Sequence, residues 1–434
     1  MKNRLAILAA ALLLASCADV PENVKNKKQG QEDKVELGSR VTVDRLLEGA
    51  EDVSAYIKEK GYEGKFVLDS DVHIELPEKL YELETETVSE AYRHYPEIYS
   101  ELFGRDFWED SGVKDFSELP LLSEHQNEHG FFFDDVYDTG DDIMYSDGDV
   151  DPPMYTKYLD ISTGGFVYFR DEKDYASDGV LREIIKAGSS PLPDREYTLL
   201  NGEKCSLGKI AEFTNEKVNT VFGYFGVQYV YRAGMIYPYT DEEGKTCFYI
   251  DLEKCYKGVP FCNHMIAEYS VEGRRQFAPV YTAEVDEPLH IYDLNSPFGI
   301  DRVISEKELT DGLVSLPLAL DIMNNELSPK IELHISDIRL VYMCDYDSSD
   351  VDAAEELRKT KTFDELTREE KLLLGDPTLM PGRRYRAYPV WEIRLDRQRK
   401  DENGNYLQRE ACDLIIIDVQ TGKLTDYIDK VSQR

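Results

Sequence analysis

The stretch CDLIIIDVQTGKLTDYI, residues 412–428, decides the fold class of this chain. Its segment Leu414–Ile417 is apolar at four consecutive positions, as expected of a strand that is buried on both faces. The dipeptide Thr421-Gly422 predicts a turn, after which a strand pattern resumes. Upstream, Val390–Leu395 predicts another strand, which precedes the Asn403-Gly404 turn. Together these residues predict a three-stranded antiparallel meander with the Leu414 strand at its centre.

The residues before this meander predict a helix followed by a long strand. Ser305-Glu306-Lys307-Glu308 matches a capping box, which predicts a helix running toward Asn325 that Pro317 restarts or kinks. Apolar residues then alternate with polar ones, first at Ile331, Leu333 and Ile335 and, with the opposite parity, at Ile338, Leu340 and Tyr342. The change of parity at Ser336-Asp337 predicts a β-bulge. A helical segment from about 351 to 374 is expected before the meander.

Two earlier regions repeat the order of helix and strands. In the middle region, Ser206 is placed to cap a helix with the apolar face Leu207, Ile210, Ala211, Thr214, Val218, Val221 and Phe222. Strands are predicted over Val227–Tyr237, Thr246–Leu252 and Cys255–Phe261. In the N-terminal region, a helix is predicted by Leu46, Leu47, Ala50, Val53 and Ile57, a strand by Val72, Ile74 and Leu76, and a second helix over 88–103 with a break at Pro96.

This repeated order predicts an α+β fold in which helices pack on antiparallel β-meanders, in two to three modules. The prolines and small residues of Gly188–Pro193 disfavour regular structure and predict a boundary. The expected modules are an acidic N-terminal one over 43–187, a helix-plus-meander module over 196–300 and a C-terminal α+β module over 301–434.

The N-terminus predicts export and lipidation. Lys2 and Arg4 precede the apolar run Leu5–Leu14, which is too short to span a bilayer and is typical of a signal peptide. The following Leu14-Ala15-Ser16-Cys17 resembles the bacterial lipobox, which implies cleavage after residue 16 and a diacylglyceryl group on Cys17. Residues 17–42 are polar and predict a flexible tether. The alternative is an ordinary signal peptide with an incidental cysteine. A lipidated Cys17 would place the protein on the outer side of the bacterial cell membrane.

The net charge excludes one class of partner. The chain has 50 basic and 86 acidic residues, a formal charge of -36, so nucleic-acid binding through a general basic surface is excluded. Residues 101–160 hold 17 acidic and three basic residues. Within them Asp147, Asp149 and Asp151 alternate, which is compatible with an irregular calcium site or with a disordered acidic loop. An EF-hand is excluded because Pro152 stands where that loop needs glycine.

A second motif in the acidic segment suggests zinc. His125-Gln126-Asn127-Glu128-His129 fits the H-x-x-E-H pattern, in which two histidines bind zinc and the glutamate activates water. Pro120 and Gly130 leave little room for the helix that this geometry needs. A solvated polar loop is the alternative interpretation.

Tyrosines and cysteines supply further candidates. Tyr229 and Tyr231 share one face of a predicted strand, as do Tyr237 and Tyr239, so they could stack on sugar rings, anchor a partner protein or lie beneath a helix. The six later cysteines are Cys205, Cys247, Cys255, Cys262, Cys344 and Cys412. They are expected to be buried core residues; a Cys344–Cys412 disulfide and a zinc site of Cys247, Cys255, Cys262 and His264 are the alternatives. Ser206-Leu207-Gly208-Lys209 fits S-x-x-K, but no partner motif accompanies it.

Several strand motifs carry a resemblance to known proteins. They are Ile338-Arg339-Leu340-Val341-Tyr342, Tyr388-Pro389-Val390-Trp391-Glu392-Ile393, Ile417-Asp418-Val419-Gln420-Thr421-Gly422-Lys423-Leu424 and Cys255-Tyr256-Lys257-Gly258-Val259-Pro260-Phe261. The first three resemble PepSY-like and YycH/YycI-like envelope proteins of bacteria, and the last resembles uncharacterised lipoproteins of clostridial type. The resemblance implies PepSY-like or cystatin-like modules and a non-catalytic, regulatory role through contact with an envelope protein. Capture of a carbohydrate or peptide is the alternative function, and zinc-dependent hydrolysis is a third. No cofactor is expected, apart from the calcium considered above.

Overall fold

The structure, a computed structural model, describes residues 40–111, 114 and 157–427, with internal gaps of which 348–355, 362–381 and 397–411 are the longest. The lipobox, the His125–His129 motif and the Asp147–Asp151 series lie outside the described residues, as do His264 and nearly all of the helical segment expected over 351–374. These predictions stay predictions.

Five α-helices and 20 strands are described. The helices are α1 (Val53–Lys60), α2 (Tyr95–Phe103), α3 (Phe107–Ser111), α4 (Leu207–Gly223) and α5 (Leu316–Glu326), with 3-10 turns at Val43–Arg45 and Ala91–His94. The strands are β1 (Phe66–Leu68), β2 (Leu80–Thr87), β3 (Lys157–Ile161), β4 (Val167–Asp171), β5 (Val180–Leu181), β6 (Ile185–Lys186), β7 (Glu196–Thr198), β8 (Lys204–Ser206), β9 (Val230–Thr240), β10 (Thr246–Tyr256), β11 (Val259–Pro260), β12 (Tyr269–Val271), β13 (Arg274–Phe277), β14 (Tyr281–Asp286), β15 (His290–Ser296), β16 (Asp301–Leu309), β17 (Leu333–Asp347), β18 (Arg384–Asp396), β19 (Cys412–Asp418) and β20 (Leu424–Tyr427).

The strands form two large sheets, so the chain is an α+β protein. The first sheet has the order β12-β13-β17-β18-β19-β20, with β2 on β18, β16 on β2 and β1 on β17. The second sheet has the order β3-β4-β15-β14-β10-β9-β5, with β11 on β10 and β6 on β9. Strands β7 and β8 form a separate pair. Within the described part, β1 runs parallel to β17 and the other pairings between these strands are antiparallel.

The C-terminal meander is confirmed. Strand β19 lies between β18 and β20. Its residues are buried on both faces because Ile415 and Ile417 belong to the large core, whereas Leu414 and Ile416 belong to a smaller core on the opposite face. The bulge in β17 is also confirmed, since its register with β18 shifts between Ile335 and Asp337.

The helix predicted from the capping box at Ser305 is wrong in its first part. Residues Ser305–Glu308 lie in β16 and pair with Glu84–Tyr81 of β2. Residues 304–308 are all exposed, so they have no apolar face with which to pack a helix. The helix α5 begins at Ser315, whose Oγ accepts a hydrogen bond from the Leu318 N–H, and Pro317 lies in its first turn.

Two strand predictions are also wrong. Val72, Ile74 and Leu76 form no strand, although they pack against the large core; the neighbouring strands are β1 and β2. The two strands expected over 246–261 are one continuous strand, β10, which turns back at Lys257 and Gly258 into β11. Both turn residues have positive φ angles, 47° and 87°, as a tight two-residue hairpin turn requires.

Of the three stretches of sequence expected to form modules, the first two contribute strands to both sheets, whereas β16–β20 from 301–434 all lie in the first sheet. From 43–187, β1 and β2 join the first sheet and β3–β6 join the second. From 196–300, β12 and β13 join the first sheet. The sheets therefore do not follow the order of the chain. No helix among the described residues has the length and hydropathy needed to cross a membrane.

Candidate functional site

The two sheets meet at buried charged residues on adjacent positions of β10. Glu253 and Lys254 are both buried and, as neighbours on one strand, they point to opposite faces of the second sheet. Each makes ion pairs with residues of the first sheet. We refer to Arg232, Glu253, Arg339, Glu392 and Arg394 as the ionic cluster, and to Tyr229, Lys254 and Asp301 as the lysine site.

A β-bulge in β9 makes room for Glu253. The pairing of β9 with β10 shifts so that Asp251 is opposite Met235 and Leu252 is opposite Ala233, which leaves Gly234 as the extra residue. A Cβ atom on Gly234 would lie 2.4 Å from Cγ of Glu253, and one on Gly188 would lie 2.4 Å from its Oε2. The Glu253 side chain therefore occupies space that exists only because both positions are glycine.

The ionic cluster joins β9 and β10 to β17 and β18. Glu253 accepts hydrogen bonds from Arg232 Nε at 3.1 Å and from Arg339 Nη1. Glu392 Oε1 accepts from Arg339 Nε at 3.3 Å and from Arg394 Nε at 2.7 Å. Arg339 thus bridges a carboxylate of each sheet. Burial alone would raise the pKa of Glu253, but the charges of Arg339 and Arg232 outweigh it and hold that pKa below its usual value.

The bulge of β17 adds a further link between the sheets. The Lys186 ammonium on β6 donates to the carbonyl oxygen of Ser336 at 2.7 Å. It also lies 3.9 Å from the Asp337 carboxylate. The bulge predicted from the sequence therefore presents a backbone carbonyl to a side chain of the second sheet.

The lysine site lies between β10 and β16. The Lys254 ammonium contacts Oδ1 of Asp301, and Oδ2 of Asp301 accepts a hydrogen bond from the Tyr229 hydroxyl at 2.8 Å. The same ammonium lies 4.0 Å from the centre of the Tyr229 ring and 4.4 Å from that of Phe261. Burial, with the nearby Asp301 charge, raises the pKa of Tyr229 well above its usual value, so its hydroxyl stays protonated.

The row of tyrosines considered for a binding surface is mostly buried, which favours the alternative that these side chains pack inside the fold, beneath a helix. Tyr229, Tyr231 and Tyr237 are buried, and Tyr239 is half-buried. The Tyr231 ring packs 4.3 Å from that of Phe222 in α4. Because the bulge at Gly234 reverses the parity of β9, Tyr231 belongs to the large core, whereas Tyr237 belongs to a small core on the other face.

The predicted core role of the described cysteines is confirmed. Cys205, Cys247, Cys255, Cys262 and Cys344 are buried, and Cys344 carries a free thiol, so the Cys344–Cys412 disulfide is absent. Burial raises the pKa of Cys255 to about 12 and that of Cys262 well above its usual value. Within the described ranges, no group of His, Cys, Asp and Glu side chains could hold a metal ion, so Cys247, Cys255 and Cys262 do not form a zinc site among themselves.

Ser206 has a structural role. Its Oγ accepts a hydrogen bond from the Lys209 N–H at 3.3 Å and caps α4, as predicted. This cap accounts for Ser206 without a catalytic role. Sequence reasoning missed the ionic cluster and the lysine site, although a signal was present: Glu392 and Arg394 are the charged residues in the otherwise apolar stretch 387–395, where they alternate with Trp391 and Ile393.

Comparisons with known proteins add little to this site. No family model matches the chain, and no curated protein matches it. One solved structure that matches is the crystal structure, at 1.45 Å resolution, of an uncharacterized protein from Eubacterium rectale ATCC 33656. Its TM-score is 0.44, with 9% identity over 84% of this chain and 91% of that one. A likeness this distant carries no argument about function.

Proposed function

We propose that this protein is a lipid-anchored protein on the outer side of the bacterial cell membrane, where it acts by binding an envelope protein and not by catalysis. The observation that carries the proposal is the order of three features at the N-terminus: the basic residues Lys2 and Arg4, the apolar run Leu5–Leu14, and Cys17. Two acyl chains on Cys17 would give stable anchoring, at about 0.8 kcal/mol per buried methylene.

The first described residues, Arg40 and Val41, indicate at which corner of the folded body a tether would enter: they form hydrogen bonds with two loops. Arg40 Nη1 donates to the carbonyl oxygen of Gly312 at 2.8 Å and contacts that of Gln420. The Val41 N–H donates to the carbonyl oxygen of Leu313 at 3.0 Å. A tether from Cys17 would therefore enter the folded body beside the loop around Gly312 and the turn at Gln420.

A binding role is supported by the polar residues that fix the shape of the folded body. Glu253 and Arg339 join the two sheets, and Ser206 caps α4. Such residues make a body of fixed shape, which is what recognition of a partner by contact requires. The likeness of the strand motifs to PepSY-like and YycH/YycI-like proteins points to the same role.

Photo-crosslinking in cells tests this proposal. A photoreactive amino acid at Thr421, next to the corner where the tether would enter, should capture a defined envelope protein, such as a sensor kinase, a protease or a transporter. The matched probe at Glu216, on the exposed side of α4, should capture it weakly or not at all. Cys17→Ser should abolish the capture at Thr421. Equal capture by both probes, or capture that is unchanged by Cys17→Ser, would contradict the proposal.

The alternative of capturing a carbohydrate or peptide has lost most of its support. It relied on an exposed row of tyrosines, and Tyr229, Tyr231 and Tyr237 are buried. No observation among the described residues favours it over the binding of a protein partner.

A further inference from the structure

The lysine site has the composition of a site for amide formation. It brings an amine, Lys254 Nζ, into contact with a carboxylate, Asp301 Oδ1. The two side chains are only 2% and 5% exposed. They come from different sheets, since Lys254 lies on β10 and Asp301 on β16. The fold therefore holds the reacting groups together without help from any other molecule.

The surroundings hold the amine in place beside aromatic rings. Lys254 Nζ faces the rings of Tyr229 and Phe261 at 4.0 and 4.4 Å. Phe261 is itself fixed between the sheets by a bridge to Tyr342 of β17. These contacts, with the burial of both side chains, keep bulk water away from the reacting groups.

The second carboxylate oxygen already has the donor that amide formation needs. Asp301 Oδ2 accepts a hydrogen bond from the Tyr229 hydroxyl at 2.8 Å. If an amine adds to Cγ of Asp301, negative charge develops on this oxygen. A fixed hydroxyl donor stabilises that charge in the way an oxyanion hole does.

We propose that Lys254 and Asp301 condense into an intramolecular amide bond that links the two sheets covalently. A proton first passes from Nζ to the carboxylate, and the lone pair of the neutral amine then attacks Cγ. Tyr229 donates to Oδ2 in the tetrahedral intermediate. The bond between Cγ and Oδ1 breaks, and Oδ1 leaves as water with two protons that began on Nζ. The third proton stays on the amide nitrogen, so no oxidant, reductant or co-reactant is required.

A neighbouring ion pair provides a control within the same molecule. Lys257 Nζ lies 2.6 Å from Oε2 of Glu306, and these residues also connect the β10–β11 hairpin to β16. Their side chains are 45% and 38% exposed. Because water solvates both groups, this pair should remain an ordinary salt bridge.

Peptide mapping of the full-length protein, purified in detergent from whole cells and denatured before digestion, tests the proposal. The expected result is a branched peptide that joins the Lys254 and Asp301 segments and is lighter than their sum by one water molecule. The Lys257 and Glu306 segments should not be joined. Recovery of the Lys254 and Asp301 segments as separate, unmodified peptides in full yield would overturn the proposal, and this result requires no variant.

Variants test the roles of the individual groups. Lys254→Arg keeps a positive charge beside Asp301 but removes the amine, so the branched peptide should be lost; its persistence would overturn the assignment. Asp301→Ala should also remove it. Tyr229→Phe keeps the ring and removes the hydroxyl, so in newly synthesised protein followed over time the branched peptide should form more slowly than in wild type. An unchanged rate would exclude Tyr229 as the donor. The amide does not depend on lipidation of Cys17, so it can fail or succeed independently of the proposed function.

Discussion

Gly234 is a residue whose lack of a side chain allows the ionic cluster to form. We predict that Gly234→Ala destabilises the protein by about 1–3 kcal/mol, the usual cost of overpacking a core, because its Cβ would lie 2.4 Å from Cγ of the buried Glu253. Chemical denaturation measures this free energy of unfolding. Gly208→Ala in α4 is the matched control, since nothing lies within 4 Å of its Cβ position. An effect of Gly234→Ala no larger than that of the control would contradict the account.

Glu253 should matter through its charge. We predict that Glu253→Gln lowers the free energy of unfolding by about 3–5 kcal/mol at neutral pH, the range for breaking a buried ion pair, because Arg339 and Arg232 lose their carboxylate partner. The control is Glu48→Gln, which removes an exposed pair with Arg45 and should leave stability unchanged.

The effect of Glu253→Gln should depend on pH in one direction. The pKa of Glu253 in the folded protein lies below its usual value. Its stabilising contribution is therefore complete above the unfolded-state pKa and is lost as the pH falls through the folded-state pKa. Denaturation at a series of acidic pH values should show the difference between wild type and variant shrinking as the pH falls. A constant difference would contradict the assigned charge.

The roles of residues that act on their neighbours in the chain could be predicted from the sequence, whereas the contacts within the ionic cluster could not. Ser206 caps a helix and Ser336-Asp337 forms a bulge, and both follow from neighbouring residues in the chain. Arg339, which bridges Glu253 and Glu392, lies 86 positions from Glu253 in the sequence and is placed opposite Glu392 by the pairing of β17 with β18. No local pattern indicates which carboxylate a buried arginine will meet.

At the scale of elements, side-chain amides of α4 form hydrogen bonds with the backbone at the edge of β9. These bonds replace those that a neighbouring strand would make. Asn219 donates to the carbonyl oxygen of Tyr231 at 2.5 Å and accepts from its N–H at 2.8 Å. Asn215 accepts from the Ala233 N–H at 2.6 Å. The amides satisfy backbone groups that β6, which pairs farther along at Met235 and Ile236, does not reach.

We predict that Asn219→Ala exposes this edge of β9. The amide hydrogen of Tyr231 should exchange faster with solvent, by hydrogen exchange measured residue by residue, because its acceptor has been removed. Thr220→Ala is the control, since the Thr220 hydroxyl donates within α4 to the Glu216 carbonyl oxygen on the exposed side. Unchanged protection of Tyr231 in Asn219→Ala would contradict the role given to the amide.

The largest error of the sequence-based prediction concerns β16, which is predicted to be the start of a helix. A capping box at Ser305 has the local chemistry of a helix start, yet these residues pair with β2. Local signals are weak when tertiary pairing competes with them, and residues 304–308 have no apolar stripe to hold a helix. The true start, Ser315, is followed by buried apolar residues that include Leu316, Ala319 and Leu320.

At the scale of the whole molecule, the interleaved sheets predict that the chain cannot be divided at Gly188–Pro193. A fragment of residues 196–434 would lack β1 and β2 from the first sheet and β3–β6 from the second. We predict that it does not fold, which near-ultraviolet circular dichroism and dye binding to exposed apolar surface would detect. A cooperative unfolding transition in this fragment would show instead that it is an independent domain.

The α+β class and the C-terminal meander could be predicted from the sequence, but the arrangement of the sheets could not. Hydrophobic alternation identifies β17 and a continuous apolar run identifies β19, whereas the pairing of β2 with both β16 and β18 joins residues more than 200 positions apart. Those pairings depend on the fit of the whole core. The N-terminal signals are local and can be read directly, so the proposed location depends on them alone.

The central claim is that Cys17 carries a lipid, and mass spectrometry of the N-terminal peptide of the protein purified from its native membrane tests it most directly. The account predicts that the mature chain begins at Cys17 and that this residue carries a diacylglyceryl thioether. In Cys17→Ser the lipid and the membrane association should both be lost. A mature chain that begins elsewhere, or an unmodified Cys17 thiol in the membrane-bound protein, would contradict the claim.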